Sequence, residues 1–187
     1  MKYTFRNKQC LRAVQSGTEC VLGKPELKDF LCLRIDSREQ APLVFDSEYV
    51  KSERGCVPVF DYALEGDQNQ FSLERKSLAD FIQSVVLSKS WKRELEKIRK
   101  AQERLLPVVY ICEFNFDEIR KYDYMQFHSG RVTPQFVYRR IAELIYNLNV
   151  HVVFADSREG AAYAICLILK RRSNELVKTS PREEGEK

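Results

Sequence analysis

Sixteen residues, Glu65 to Asp80, constrain this chain more tightly than any other stretch. Gly66-Asp67 opens a turn rich in Gln and Asn. From Gln70 to Lys76 the residues alternate, with Phe71 and Leu73 on one side and Gln70, Ser72, Glu74 and Lys76 on the other. Residues two apart in a strand share a face, so Glu74 and Lys76 project together. Asp67, at the turn, can fold back beside them. Ser77 is an N-cap, and Asp80 falls in the first turn of the helix it opens. Leu78, Phe81, Ile82, Val85 and Val86 then recur at helical spacing, which gives that helix one buried face.

The flanking chain repeats the pattern. Phe30–Ile35 is a compact apolar run, read as a buried strand that stops at Asp36. Pro42 keeps Ala41 extended, so Asp36-Ser37-Arg38-Glu39 lies at a strand end and on the loop after it. Open α/β sheets place functional groups there. Asp46–Gly55 reads as loop or a short helix. Cys56–Leu64 reads as a strand, with Pro58 marking an edge or a start, and forms a hairpin with the strand ending at Lys76. Trp91, Leu95, Ile98 and Leu105 make an apolar stripe through a helix that Pro107 ends. Val108–Cys112 is a strand closing on Glu113. Asp117–Tyr122 gives a helical turn, and Tyr122–Val132 a loop. Thr133-Pro134 starts a helix that runs to Leu148. Val150–Ala155 is a strand, and Asp156-Ser157 caps a last helix ending at about Arg171. These elements predict an α/β fold with a mixed central sheet flanked by helices, and parallel strands at Val108 and Val150. Residues 1–28 form an N-terminal extension with no assigned chemistry. Residues 29–171 form the domain, and the polar stretch 172–187 is expected to be a disordered tail.

Composition bears on where such a domain works. No apolar run approaches the roughly 20 residues that span a bilayer, and Met1–Lys8 lacks a hydrophobic signal core. The expectation is a cytoplasmic protein with no membrane partner. The six cysteines include no Cys-x-x-Cys pair, so zinc is not indicated and buried reduced thiols are expected. His128 and His151 lie apart from each other and from any cysteine at ligand spacing. The net charge is +4. Seven basic and three acidic residues between Lys89 and Arg104 account for all of it. Two readings stand for that helix: a solvated face laced with Glu–Lys pairs, or a site for a polyanion that takes Lys92, Arg93, Lys97 and Lys100.

Asp36, Asp67 and Glu74 are each expected at a strand end or its turn on one edge of the sheet. Two like charges ~4 Å apart repel by about 4 kcal/mol at an effective dielectric of 20. Such a cluster requires a divalent cation or protonation, and all-oxygen donors suit Mg²⁺ or Mn²⁺. Lys76 beside them would orient a water or stabilise a charged phosphoryl group, which is the chemistry of phosphodiester hydrolysis. The other reading is a surface hairpin with charged side chains turned outward. Asp80 is either a helix-dipole partner or part of the site.

Gly66-Asp67, then Glu74-Arg75-Lys76, then Asp80 resembles the Gly-Asp…Glu-Arg-Lys-x-x-x-Asp signature of the XPF-type structure-specific endonuclease domain. That domain belongs to the restriction-like PD-(D/E)xK nuclease superfamily. Ile35-Asp36-Ser37-Arg38-Glu39 is similar to the family's apolar-Asp-x-Arg-Glu element, and the strand ending at Glu113 to its apolar-Glu strand. The match covers about Phe30 to Arg171 in the family's order. Arg38–Phe45 and Arg93-Glu94-Leu95 resemble most the compact versions carried by phages and mobile elements. The resemblance implies a restriction-endonuclease-like fold and a Mg²⁺- or Mn²⁺-dependent DNA endonuclease for branched, flapped or forked DNA. It implies Asp36, Asp67 and Glu74 as metal-binding acids and Lys76 as the catalytic lysine. Arg38, Glu39, Arg75, Asp80 and, more loosely, Glu113 become the supporting polar shell. XPF-type proteins usually continue into helix-hairpin-helix modules, for which residues 172–187 are too few, so a homodimer or a partner protein would supply DNA affinity. The alternative within the same fold is a non-catalytic DNA-binding or dimerisation module.

Overall fold

The computed structural model describes residues 31–104, 107–127 and 132–179. The N-terminal extension, Leu105 and His128 lie outside these residues. Six strands form one sheet in the order β2-β1-β3-β4-β5-β6. They are β1 (Leu31–Asp36), β2 (Val50–Gly55), β3 (Tyr62–Leu64), β4 (Leu73–Lys76), β5 (Val108–Cys112) and β6 (Val150–Phe154). β3 runs against both its neighbours, while β1 with β2, and β4 with β5 and β6, pair in parallel. The sheet is therefore mixed, with β3 its one reversed strand.

Among the described residues five α-helices cover it: α1 (Leu78–Val86), α2 (Ser88–Glu103), α3 (Phe116–Lys121), α4 (Pro134–Tyr146) and α5 (Arg158–Thr179). The caps are those the sequence announces. Ser77 accepts from the Asp80 N–H, and Thr133 accepts from the Phe136 N–H with Pro134 beginning the helix. Asn115 and Glu118 close a reciprocal capping box on α3.

β5 shows how the layers are built. Val109 and Ile111 join a core with Ala161, Ala162, Ile165, Cys166 and Leu169 of α5. Val108, Tyr110 and Cys112 join the opposite core with Phe81, Trp91, Ile98, Ile119, Val137 and Leu144. Its five residues are all buried, as a strand covered on both faces requires. One helix lies on one face and four on the other, and the parallel strand ends meet at one edge. This is the expected α/β architecture.

Local readings need correcting. The segment Asp46–Gly55 contains strand β2, which pairs with β1 from Leu31↔Val50 to Asp36↔Gly55. It is an edge strand with only Val50 buried, so the apolar alternation that betrays a strand is missing. The apolar run Cys56–Leu64 yields a strand only at Tyr62–Leu64. Val57 leaves the ladder because its N–H donates to Asp36 and its carbonyl accepts from Arg38. Val59 and Phe60 fill the core as loop residues. Cys32 is exposed, because the four-helix layer covers the β4–β6 side of the sheet and not the outer face of β1. Helix α5 runs eight residues past its expected end, to Thr179, so the first half of the expected tail is helical.

Candidate active site

The pleat of β4 divides its charged residues between the two faces of the sheet. Glu74 and Lys76 face α2, whereas Arg75 faces the α5 side; all three are buried. The sequence alternation was right about the shared face.

On the α2 side, Lys76 Nζ lies 3.0 Å from Glu74 Oε1 and 3.1 Å from Glu94 Oε1. It also donates to Glu94 Oε2 at 3.2 Å. The Tyr110 hydroxyl donates to Glu94 from the neighbouring strand. Lys97 Nζ lies 2.5 Å from Glu74 Oε2. Burial opposes the charged form of Glu74, but Lys76 and Lys97 outweigh it and hold its carboxyl at about 2. Burial likewise opposes the charge on Lys76, and Glu74 and Glu94 overcome it, so its pKa rises above the usual lysine value. Burial, then Glu94, pushes the Tyr110 hydroxyl upward.

Asp61 completes this group. It sits just before β3, where it accepts from the Arg75 N–H at 2.9 Å while its own N–H reaches Leu73. Burial and then the Glu74 carboxylate push its pKa well above the ordinary value. Its neighbour Glu74 is held in the opposite direction by Lys76 and Lys97, and both acids line the same cleft.

On the other side Arg75 is clamped between Glu39 at 3.0 Å and Glu113 at 3.0 Å, and Glu113 also meets Arg158 of α5 at 3.1 Å. Glu39 accepts from the Ala41 N–H, and Arg158 donates to the carbonyls of Ala41 and Pro42. These contacts hold the loop after β1 against the site. Arg38, Glu39, Gln40, Ala41, Asp61, Glu74, Arg75, Lys76 and Asp80 together line a cleft of about 320 Å³. Asp80 also accepts from the Ser77 hydroxyl at 2.7 Å, so its capping and rim positions coexist.

Two expected metal-binding acids are elsewhere engaged. Asp67 lies at the far, turn end of the β3–β4 hairpin, where Arg172 of α5 binds both its oxygens at 2.7 and 2.9 Å. The chain cannot fold Asp67 back, because Gly66 at φ 85° and the Gln70 and Phe71 N–H groups bonded to the Asp67 carbonyl turn it outward toward α5. Asp36 is buried at the site edge, but its oxygens take the Arg38 guanidinium and backbone N–H and the Val57 N–H. Burial raises its pKa, but those hydrogen bonds lower it further, and the net shift is downward. Among the described residues no group of three or more His, Cys, Asp or Glu could hold a metal ion. The basic helix also divides: Lys92, Arg93 and Lys100 are exposed, while Lys97 turns in to Glu74.

Sequence reasoning missed Asp61, Glu94, Tyr110 and Arg158. Asp61 carried a signal, as the one acid within an otherwise apolar run from Cys56 to Leu64. Glu94 and Arg158 had none, since a glutamate on a basic helix and an arginine at a helix start look solvated.

Solved structures share this architecture. XPF from Aeropyrum pernix matches with a TM-score of 0.58 at 21% identity, covering 79% of this chain and 67% of that one. XPF from Aeropyrum pernix in complex with DNA matches with a TM-score of 0.58 at 20% identity, covering 83% and 76%. No curated protein matches the chain. The ERCC4 domain matches residues 35–168, well over half of the sequence and the span that holds Asp36, Asp61, Glu74, Lys76, Glu94 and Glu113. The resemblance drawn from Asp36 to Asp80 therefore holds at the level of the family, and the chain belongs to the ERCC4 domain family.

Proposed function

We propose that this chain is a divalent-metal-dependent DNA endonuclease acting on branched, flapped or forked DNA. The observation that carries the reading is the convergence of Asp61, Glu74 and the buried Lys76 on one cleft, with the Lys76 ammonium 3.0 Å from Glu74. The similar structure of XPF from Aeropyrum pernix in complex with DNA supports DNA as the substrate.

The donor set fits Mg²⁺ or Mn²⁺. Hard cations of this kind take one or two carboxylates and keep several waters. Asp61 and Glu74, both lining the cleft, would supply those carboxylates. Asp36, with its oxygens committed to Arg38 and Val57, would position the loop instead. A bound divalent ion supplies Lewis-acid polarisation of a phosphoryl oxygen and a more acidic water. Lys76 stays protonated, so it cannot serve as the base; it donates a hydrogen bond and stabilises negative charge developing on the phosphate. Glu94 and Tyr110 hold that ammonium in place. Arg75, Glu39, Glu113 and Arg158 fix the cleft wall. Lys92, Arg93 and Lys100 would meet phosphates along the duplex, with further DNA affinity coming from a second copy or a partner protein.

The test is cleavage of labelled flap, fork and linear duplex DNA with Mg²⁺ or Mn²⁺. Glu74→Ala, Lys76→Ala and Asp61→Asn should lower cutting by at least about 100-fold, as expected for loss of a group that stabilises transition-state charge. A wild-type chain that binds DNA but cuts none of these substrates with either metal would leave the non-catalytic alternative standing.

A further inference from the structure

Each oxygen of Glu74 carries an ammonium: Lys76 Nζ lies 3.0 Å from Oε1 and Lys97 Nζ 2.5 Å from Oε2. A cation that takes Glu74 as a ligand meets an ammonium at either oxygen, and like-charge repulsion favours the departure of one of them. The two lysines are not held alike. Lys76 also reaches both oxygens of Glu94, which is pinned by Tyr110, and its side chain is 10% exposed. Lys97 makes its ion pair within 4 Å with Glu74, its charge also reaches Asp61, and its side chain is 30% exposed. Its ammonium lies 5.4 Å from the Phe60 ring centroid, a contact too weak to hold it against a divalent charge. Lys97 is therefore the one free to leave.

Arg93 and Lys100 stand one helical turn to either side of Lys97 and are exposed. Like charges at this spacing repel, so a released Lys97 is unwelcome on the free helix and welcome where DNA phosphates lie along it.

We propose that Lys97 is a built-in counter-ion that neutralises Glu74 while the site holds no divalent cation, and that swings out to the DNA-facing side of α2 when one binds. The inference rests on the nuclease reading above and concerns the affinity of the site for a hard divalent cation. Because the same side chain answers to both ligands, metal and DNA binding are coupled, and the coupling is reciprocal.

The experiment is a titration of the full chain, without DNA, with Mn²⁺ and Mg²⁺, followed by calorimetry and by thermal shift. Lys97→Met keeps the apolar stem over Phe60 and removes the competing charge. It should bind metal about tenfold more tightly than wild type, the change expected when a partly buried competing ion pair is lost. Lys97→Gln, which can still donate to Glu74, should fall between the two and serves if the methionine variant misfolds. Lys89→Met, an exposed lysine of the same helix, should bind metal as wild type does. DNA lacking a scissile linkage should raise the metal affinity of wild type by a larger factor than that of Lys97→Met, since the phosphate serves both but only wild type has Lys97 to release. Wild-type metal binding with equal or weaker affinity in both Lys97 variants overturns this inference and leaves the nuclease reading intact. Absence of any metal response in every variant, with no cutting of DNA, overturns both.

Discussion

Lys76 keeps its charge in a place where burial alone would remove it, because Glu74 and Glu94 sit on it from β4 and α2. Replacing Glu94 with Ala would leave that ammonium with one carboxylate. The expected result is lower cleavage with largely retained DNA affinity, read by single-turnover rates and by binding of uncleaved duplex. Asp61 and Asp67 offer a contrast within one hairpin. Asp67→Asn should retain cutting and lower stability by about 1 kcal/mol, since it weakens a partly exposed pair with Arg172 but keeps a hydrogen bond. Asp61→Asn should do the reverse, abolishing cutting while it relieves repulsion with Glu74 and preserves or raises Tm. Equal loss of cutting in both would return Asp67 to the site. The thiols give an independent check on burial. Cys112 and Cys166 have pKa values pushed up to about 12 by burial, so among the described cysteines native protein should alkylate at Cys32 and Cys56 and spare these two. Mass spectrometry after brief iodoacetamide treatment reads the pattern.

At the level of elements, α2 has two jobs on two faces. Trp91, Ile98 and Ala101 bury one stripe, and Glu94 and Lys97 project from its border into the site. Arg140 of α4 packs over Trp91 at 4.5 Å, so the tryptophan is a core residue with a cation on its ring and not a platform for bases. Lys92, Arg93 and Lys100 remain outside. Changing these three to Glu should weaken DNA binding and reduce the salt dependence by about 0.9 in log–log slope for each lost phosphate contact. Binding measured across a salt series reports it, and an unchanged slope would reassign that face to solvent.

The whole molecule places the site by topology. Strands β1 and β4–β6 end at one edge, and the reversed β3 starts there, so Asp36, Asp61, Lys76 and Glu113 converge although they are spread over 78 positions of the chain. α5 ties this edge to the opposite one, through Arg158 at Glu113 and Arg172 at Asp67. A cation that binds the folded site should stabilise the entire fold. Saturating Mg²⁺ or Mn²⁺ at tenfold above its Kd adds about 1.4 kcal/mol, or roughly 3–6 °C in Tm, and Glu74→Gln should abolish the shift.

What was legible in the sequence was periodicity and local chemistry. Alternation at β4 showed that Glu74 and Lys76 share a face, helical spacing showed the buried stripes of α1 and α2, and the hydroxyl caps Ser77 and Thr133 marked where helices start. These follow from the fixed geometry of strands, helices and their ends, so neighbouring residues suffice to show them. The identity of the second acid did not follow, because hairpin register and the turn at Gly66 set whether Asp61 or Asp67 meets Glu74. Nor did the inward turn of Glu94 and Lys97, which depends on how α2 packs against β4 and β5. Long-range packing decides which charges neutralise one another, and here it places Asp61, Glu74, Lys76, Glu94 and Lys97 in one shared electrostatic site.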